Sequence, residues 1–154
     1  DSFLFMFCGV DDFYEYRIYL ENIGFQVQKY QMIWSKVDAI SQGTRKWEYH
    51  RNYEFILLAI KGSPVLTHLG KHEGILVCNQ VPPIKLIHPN EKPRELIKTI
   101  IESCTYDQAV ILDPFAGSGV VGDAARSLGR NYILIERERK YYDKIIRRLQ
   151  YVEN

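Results

Sequence analysis

The 154-residue sequence predicts an α/β domain, and three observations lead to that prediction. Residues 3–8 form a continuous apolar run ended by Gly9, as in a strand buried on both faces. Residues 109–112 and 132–135 are two further short apolar runs. A Gly-rich turn and a helix of small residues at 120–128 separate these two runs. Strands that alternate with helices in this way are typical of a largely parallel sheet.

The composition indicates a folded domain rather than a disordered or disulfide-built chain. Hydrophobic residues make up 46% and charged residues 25%, which excludes disorder. The net charge of +1 excludes a surface that is basic throughout, although a local basic patch remains compatible with it. The three cysteines, Cys8, Cys78 and Cys104, are odd in number and not closely spaced, which fits neither a disulfide framework nor a Cys-x-x-Cys site, so we predict a reducing, cytoplasmic setting. Because the chain opens on Asp1 and runs directly into a strand, we expect further sequence ahead of it.

The remaining elements follow from periodicity and from turn residues. A helix is predicted after the first strand, beginning at Asp11 and Asp12, which have N-cap chemistry. Near alternation of apolar residues over 25–34 and 53–60 predicts two antiparallel strands joined by a long polar loop. Residues 63–90 contain four prolines and are predicted as loop with at most one short strand. Two further helices are predicted, over residues 93–104 and 139–151.

The Gly-rich turn at residues 113–119 is the strongest functional signal. It reads Asp-Pro-Phe-Ala-Gly-Ser-Gly and joins a strand to a helix, where glycine lets backbone N–H groups approach a ligand closely. The next strand ends in Glu136, whose carboxylate is placed to accept hydrogen bonds from the two hydroxyls of a ribose. A cofactor that contains a nucleoside is therefore predicted.

Two cofactor classes fit this pattern. Residues 117–122 satisfy G-x-G-x-x-G, but Glu136 follows Gly122 by 14 residues, whereas the dinucleotide fingerprint expects about 20. Asp113 would repel a pyrophosphate and suits a cationic group instead. S-adenosylmethionine carries an ammonium, a sulfonium and a ribose but no phosphate, so we favour it over a dinucleotide. A turn that binds nothing is the third alternative.

The sequence resembles the N4/N6 amino-group DNA methyltransferases of the permuted β class. Residues 113–119 resemble their cofactor motif, Glu136 resembles their ribose-binding acid, and residues 88–96 resemble their H-x-x-x-K-P-x-x-L segment. The resemblance is strongest over residues 87–149. It implies a Rossmann-like S-adenosylmethionine-dependent methyltransferase fold with three α/β/α layers and a circularly permuted motif order.

The first half of the chain resembles the same family more loosely. Trp34-Ser35-Lys36 is similar to its W-x-K motif, and residues 53–57 are similar to its H-E-x-I-L motif, with Tyr53 in place of the usual His. The resemblance implies a single methyltransferase domain over residues 1–154. Its expected parts are a target-base half, a loop region and a cofactor-binding half, at residues 1–62, 63–90 and 91–154.

The resemblance also implies an activity, the transfer of a methyl group from S-adenosylmethionine to an exocyclic amino nitrogen of DNA, with adenine N6 favoured over cytosine N4. The implied cofactor-binding residues are Lys92, Asp113, Pro114, Phe115, Ala116, Gly117, Ser118, Gly119 and Glu136. No catalytic residue is assigned, because the family's D/N/S-P-P-Y/F/W tetrapeptide, which holds the flipped base, does not occur in this sequence. Val81-Pro82-Pro83-Ile84 has the two prolines but neither the polar acceptor nor the aromatic ring.

We therefore expect the tetrapeptide to come from a missing N-terminal segment or from a second chain, and we expect this chain alone not to methylate DNA. Two alternatives of other classes stay open. One is a catalytically silent methyltransferase-like module that binds cofactor or DNA, and the other is a dinucleotide-dependent oxidoreductase.

Basic residues cluster in two other places. The predicted loop at residues 44–51 interleaves basic and aromatic side chains, a mixture that favours DNA, although a solvated loop fits equally. The candidate DNA-binding residues there are Arg45, Lys46, Trp47 and Arg51. Basic residues on the last helix form one stripe, which we predict to be a solvated face: Lys140, Lys144, Arg147 and Arg148. His68 and His72 have metal spacing, but Gly70 argues against a helix between them, so no metal is predicted.

Overall fold

The structure is a computed structural model that describes residues 1–37, 47, 49, 51–68, 70 and 72–150. The chain divides into two compact units. The first comprises Asp1–Leu66 and His72–Asn79, and the second comprises Thr67–Lys71 and Gln80–Asn154. Each unit contains its own sheet. None of the helices in the described part of the chain is long and apolar enough to cross a membrane.

The described residues of the first unit form a mixed sheet with one helix. Its elements are β1 (Ser2–Cys8), α1 (Val10–Asn22), β2 (Gln26–Val27), β3 (Met32–Ser35), β4 (Tyr53–Lys61) and β5 (Ile75–Val77). The central strand β4 pairs antiparallel with β1, β2 and β3, and β3 pairs in parallel with β5. The strand order is therefore β1-β4-β3-β5, with β2 also paired to β4.

Two expectations about the strands of this unit are wrong. β1 forms where it was predicted, but it pairs antiparallel with β4, and residues 3–8 are half-buried rather than buried on both faces. The strand predicted over residues 25–34 is divided into β2 and β3, because the chain bends at residues 29–30 between them. The antiparallel pairing of β3 with β4, and one short strand within residues 63–90, are confirmed.

Helix α1 packs on the central strand. Phe13 and Leu20 of α1 are buried with Leu57 and Ala59 of β4 in one cluster. The N-cap of α1 is Gly9, which makes no side-chain hydrogen bond, so the predicted N-cap role of Asp11 and Asp12 is wrong. The two acidic residues lie in the first turn instead, where negative charge is favourable near the positive end of the helix dipole.

The second unit has the strand, turn, helix, strand order that the sequence predicted. Its elements are a short 3₁₀ turn (Pro83–Lys85), α2 (Arg94–Cys104), β6 (Val110–Asp113), α3 (Val120–Ser127), β7 (Asn131–Leu134) and α4 (Arg139–Gln150). Strands β6 and β7 are parallel, with Val110 opposite Asn131. The predicted helices and strands of this half are confirmed, with no bound shifted by more than one residue.

Small residues bring α3 close to β7. Ala124 and Ala125 are fully buried. A Cβ atom on Gly122 would lie 2.6 Å from Cδ1 of Leu134, so that glycine permits the close approach of the helix. This packing fixes the turn between β6 and α3 relative to the end of β7.

The other face of the β6–β7 sheet is open. Val110 and Leu112 of β6, with Ile133 of β7 and Ile135 just after it, are each more than half exposed. Within the described residues, β6 pairs with β7 only, so its second edge has no strand partner. Apolar residues on an exposed sheet face, next to an unpaired edge, indicate a surface that further chain can cover.

Candidate cofactor-binding site

The Gly-rich turn lies at the carboxyl end of the two parallel strands. Asp113 is the last residue of β6, and Glu136 follows the end of β7 by two residues. The carboxyl ends of parallel strands meet at one edge of a sheet, where open α/β sheets bind their ligands. The fold thus brings together the two carboxylates that the sequence analysis singled out.

Asp113 organises the beginning of the turn. Its Oδ1 accepts a hydrogen bond from the backbone N–H of Phe115 at 3.0 Å. Burial raises the pKa of Asp113 above its ordinary value, and the negative charge of Glu136 adds to the increase, whereas the hydrogen bond from Phe115 opposes it. A cationic ligand group beside Asp113 would therefore favour its ionised form.

Glu136 is held by two backbone donors. Its Oε1 accepts the N–H of Glu138 at 2.7 Å, and its Oε2 accepts the N–H of Gly117 at 2.8 Å. The hydrogen bond from Glu138 is the main reason why the pKa of Glu136 is below its ordinary value, and Gly117 and His88 act in the same direction. An ionised carboxylate has about four acceptor positions, so two remain for the hydroxyls of a ligand.

Two positions in the turn require glycine. Gly117 has φ +50° and Gly119 has φ +75°, in the left-handed region that side chains disfavour. A Cβ atom on Gly117 would lie 3.3 Å from Cγ of His88, and one on Gly119 would lie 3.0 Å from Cγ1 of Ile145. The backbone here is therefore enclosed by neighbouring side chains as well as bent.

His88 is the residue of this site that the sequence analysis did not assign. Its ring lies against Gly117 and makes an edge contact with Tyr141, at 4.4 Å between ring centroids. Its Nδ1 accepts the N–H of Asn90 at 3.2 Å, which fixes the orientation of the ring. The sequence did contain a signal for His88, because this residue begins the H-x-x-x-K-P segment. The contact of its ring with Gly117 brings that segment to the Gly-rich turn.

The other predicted cofactor residues differ in exposure. Phe115 is 89% exposed and Pro114 is exposed, whereas Ala116 and Ser118 are buried within the turn. Lys92 is half-buried and precedes α2 by two residues. Phe115 thus presents a free aromatic face beside Asp113.

Part of the predicted DNA-binding loop can be located. Arg45 and Lys46 lie outside the described residues. Trp47 and Arg51 are exposed and belong to the first unit. Within the described ranges, no group of three His, Cys, Asp or Glu side chains could hold a metal ion.

The chain matches the family model of N6/N4 DNA methylases over residues 70–147. It is 45% identical, over 69 residues, to type II methyltransferase M.HinfI of Haemophilus influenzae, a stretch that covers 45% of the chain and 19% of that relative. It is 29% identical, over 161 aligned positions, to type II methyltransferase M2.DpnII of Streptococcus pneumoniae, covering 95% of the chain and 59% of that relative. The chain therefore spans less than two thirds of the length of these curated relatives.

Solved structures share the fold. The M1.HpyAVI–SAM complex has a TM-score of 0.86 and 28% identity, covering 97% of this chain and 75% of that one. The cytosine-N4-specific PvuII DNA methyltransferase has a TM-score of 0.75 and 16% identity, covering 92% and 58%. These likenesses confirm the predicted Rossmann-like α/β fold, and the predicted cofactor class is the one bound in the M1.HpyAVI complex.

Proposed function

We propose that this chain, which belongs to the N6/N4 DNA methylase family, forms the cofactor-binding part of an S-adenosylmethionine-dependent DNA methyltransferase. The reaction is transfer of the methyl group to an exocyclic amino nitrogen of a base. Adenine N6 is proposed over cytosine N4 because it is the more frequent target in the class that the sequence resembles.

The observation that carries this proposal is the pair of carboxylates around the Gly-rich turn. Glu136, oriented by the N–H groups of Gly117 and Glu138, keeps two acceptor positions for the ribose hydroxyls. Asp113, half-buried beside a second carboxylate, suits a cationic ligand and opposes a pyrophosphate. The proposed cofactor residues are those predicted from the sequence: Lys92, Asp113, Pro114, Phe115, Ala116, Gly117, Ser118, Gly119 and Glu136.

Base binding is proposed to need a segment that this sequence lacks. The D/N/S-P-P-Y/F/W tetrapeptide does not occur in its 154 residues. We place the strand that carries it against the second edge of β6, which has no strand partner within the described residues and adjoins the open apolar face at Leu112. The source is a further segment of the same protein or a second chain. The loop residues Arg45, Lys46, Trp47 and Arg51 are proposed to contact DNA, and a cytoplasmic location stays a prediction.

Calorimetry tests the cofactor. The chain is titrated with S-adenosylmethionine, with its demethylated product and with NAD. We expect the first two to bind and NAD not to bind. Binding of NAD without S-adenosylmethionine would contradict the proposal and favour the oxidoreductase.

A methylation assay tests the need for the missing segment. The chain is incubated with tritiated S-adenosylmethionine and unmethylated DNA, alone and with a chain that carries the tetrapeptide. We expect incorporation only in the second case. Cofactor binding without incorporation in either case would favour the catalytically silent module, which the absence of the tetrapeptide also supports.

A further inference from the structure

A basic cleft of about 510 Å³ lies in the second unit, between the segment before α2 and helices α3 and α4. Four cationic side chains line it, Arg126 of α3 and Lys144, Arg147 and Arg148 of α4. Among the described residues, Asp123 is the single carboxylate of the lining. None of the proposed cofactor residues lines the cleft, and S-adenosylmethionine carries no phosphate, so cofactor binding leaves this cleft without a role.

The charges around the cleft do not balance. Asp123 faces three guanidinium groups, at 3.1 Å from Nε of Arg94, 3.2 Å from Nε of Arg148 and 3.6 Å from Nη2 of Arg126. Arg148 also lies 2.6 Å from Glu91, whose side chain is only 4% exposed. Arg94 also lies 4.0 Å from Glu95. Three carboxylates thus stand against these three arginines and the two further cations of the cleft, Lys144 and Arg147. The surplus of two positive charges is concentrated here in a chain whose net charge is +1.

Hydrogen-bond donors remain available at the cleft. Arg148 uses Nε toward Asp123 and Nη1 toward Glu91 and the Ser118 carbonyl, whereas its Nη2 has no acceptor among the described residues. Arg147 is exposed, and no ion pair or hydrogen bond joins it to another described residue. Repulsion between such neighbouring cations favours uptake of an anion, and a guanidinium fork matches the oxygens of a phosphate.

The position of Lys144 and the apolar side of the cleft strengthen this argument. Nζ of Lys144 donates to the carbonyl of Ile87 at 3.3 Å, which holds the ammonium at the rim. Leu86 and Ile87 supply the apolar part of the lining. Of the three cations proposed below to bind phosphate, Arg148 is partly shielded from water, and such a charge interacts more strongly with a bound anion than a fully solvated charge does.

We propose that this cleft is a phosphate-binding site that takes a phosphate ester through Arg147, Arg148 and Lys144. The ester belongs either to a nucleic-acid backbone or to a phosphorylated small molecule, since both offer the same oxygens. The basic stripe on the last helix, predicted to be a solvated face, has this role over its second half. Arg148 also donates to the carbonyl of Ser118 in the Gly-rich turn, so the variants that test the site change Arg147 and Lys144 instead, and its failure is distinguishable from a failure of cofactor binding.

Thermal unfolding tests the site with inorganic phosphate and pyrophosphate, against sodium chloride at equal ionic strength. At about 10 mM pyrophosphate we expect the Tm of the parent chain to rise by about 2–5 °C. The increase should fall by at least half in Arg147→Gln and in Lys144→Gln. Lys140→Gln is the matched control, because Lys140 lies on the same helix, is exposed and does not line the cleft.

An increase in Tm that chloride reproduces, or one that both cleft variants retain, would overturn the proposal. Because Arg147 is exposed, the Arg147→Gln variant should fold normally. The test therefore remains valid even if Lys144→Gln does not fold.

The source of the phosphate is found with two further probes, a short DNA duplex and adenosine monophosphate. If the backbone of DNA occupies the cleft, the slope of log K against log salt should fall by about 1 in Arg147→Gln relative to Lys140→Gln. An unchanged slope with weakened nucleotide binding assigns the cleft to a small molecule. An Arg147→Gln chain that binds both probes as the control does would count against the site.

Discussion

The two sheets of this protein are built differently. In the first unit, β4 has strands on both sides, and Ile56, Leu57 and Ala59 are completely buried. In the second unit, β6 has one strand partner among the residues that the structure describes, and apolar residues such as Leu112 are exposed on one face. The central strand of the first sheet thus contributes completely buried side chains to the core. The second sheet is a support for the Gly-rich turn, covered by α3 on one face and open on the other.

This difference shows that a sheet need not be buried on both faces for the turn at the end of its strands to be ordered. Asp113, the Gly-rich turn and Glu136 are ordered by local hydrogen bonds at the ends of β6 and β7, although apolar side chains on the opposite face of that sheet are more than half exposed. The Gly-rich turn is therefore ordered mainly by the strand, turn, helix, strand unit, and His88 and Ile145 enclose it from outside that unit. The following substitutions separate the contributions of core packing, turn geometry and polar contacts.

The largest expected effect comes from comparing the same substitution in the two sheets. Leu57→Ala removes a fully buried side chain of β4 and should lower the free energy of unfolding by about 2–5 kcal/mol. Leu112→Ala removes a side chain of β6 that is 59% exposed, and should lower it by less than about 1 kcal/mol. Urea denaturation measures both values. Equal losses would mean that the open face of β6 is covered in solution.

The second prediction concerns the Gly-rich turn and uses a glycine of the first unit as its control. Gly119→Ala places a Cβ atom 3.0 Å from Ile145 in a residue with φ +75°. Gly24→Ala has a similar φ of +86°, but nothing lies within 4 Å of the added atom. The backbone strain alone costs about 1–2 kcal/mol, so we expect that loss for Gly24→Ala and a larger one for Gly119→Ala. Thermal unfolding that ranks Gly24→Ala as the more damaging would contradict the enclosed geometry of the turn.

The third prediction concerns the proposed binding of S-adenosylmethionine at the end of the second sheet. Glu136→Ala removes the acceptor for the proposed ribose hydroxyls and should weaken S-adenosylmethionine binding by about 1–3 kcal/mol, or roughly 5- to 150-fold. Glu138→Ala is the matched control, because its contact to Glu136 is made by the backbone N–H and survives the substitution. Calorimetry on the two variants and the parent measures the effect. Equal affinity in all three would remove Glu136 from the site.

Local patterns made the second unit predictable. Three features of this unit are close together along the chain: the turn at Asp113, the small residues of α3 and the acid at Glu136. Each could be predicted from the local sequence pattern of a strand, a turn, a helix and a second strand. The position of His88 could not be derived in this way, because the ring reaches Gly117 from 29 residues away. The family resemblance quoted both segments, but it did not specify their contact.

The first unit was less predictable for the same physical reason. A continuous apolar run such as residues 3–8 suits a strand in either direction, and its partner β4 begins more than 40 residues later. Only the fold specifies that Phe3 lies opposite Ile60 in an antiparallel ladder. The bend at residues 29–30 carries neither Gly nor Pro, so alternation alone predicted one strand instead of two.

The smallest expected effect is a pH dependence of stability with opposite signs at the two carboxylates. The pKa of Glu136 is lowered in the folded chain, so its contribution is present above the ordinary value of about 4.3 and is lost as the pH falls through the folded pKa. The pKa of Asp113 is raised, so its contribution is present below the ordinary value of about 3.9 and is lost as the pH rises through the folded pKa.

Glu136→Gln should therefore be less stable than the parent at pH 7, with a deficit that shrinks toward pH 3. Asp113→Asn should gain stability relative to the parent as the pH rises over the same range, because the amide keeps an oxygen for the N–H of Phe115 without a buried charge. Thermal unfolding of the three proteins between pH 3 and pH 7 measures both slopes, and groups common to all three cancel in the differences. Slopes of the same sign would mean either that Asp113 is not buried or that Glu136 lacks the backbone hydrogen bonds described for it.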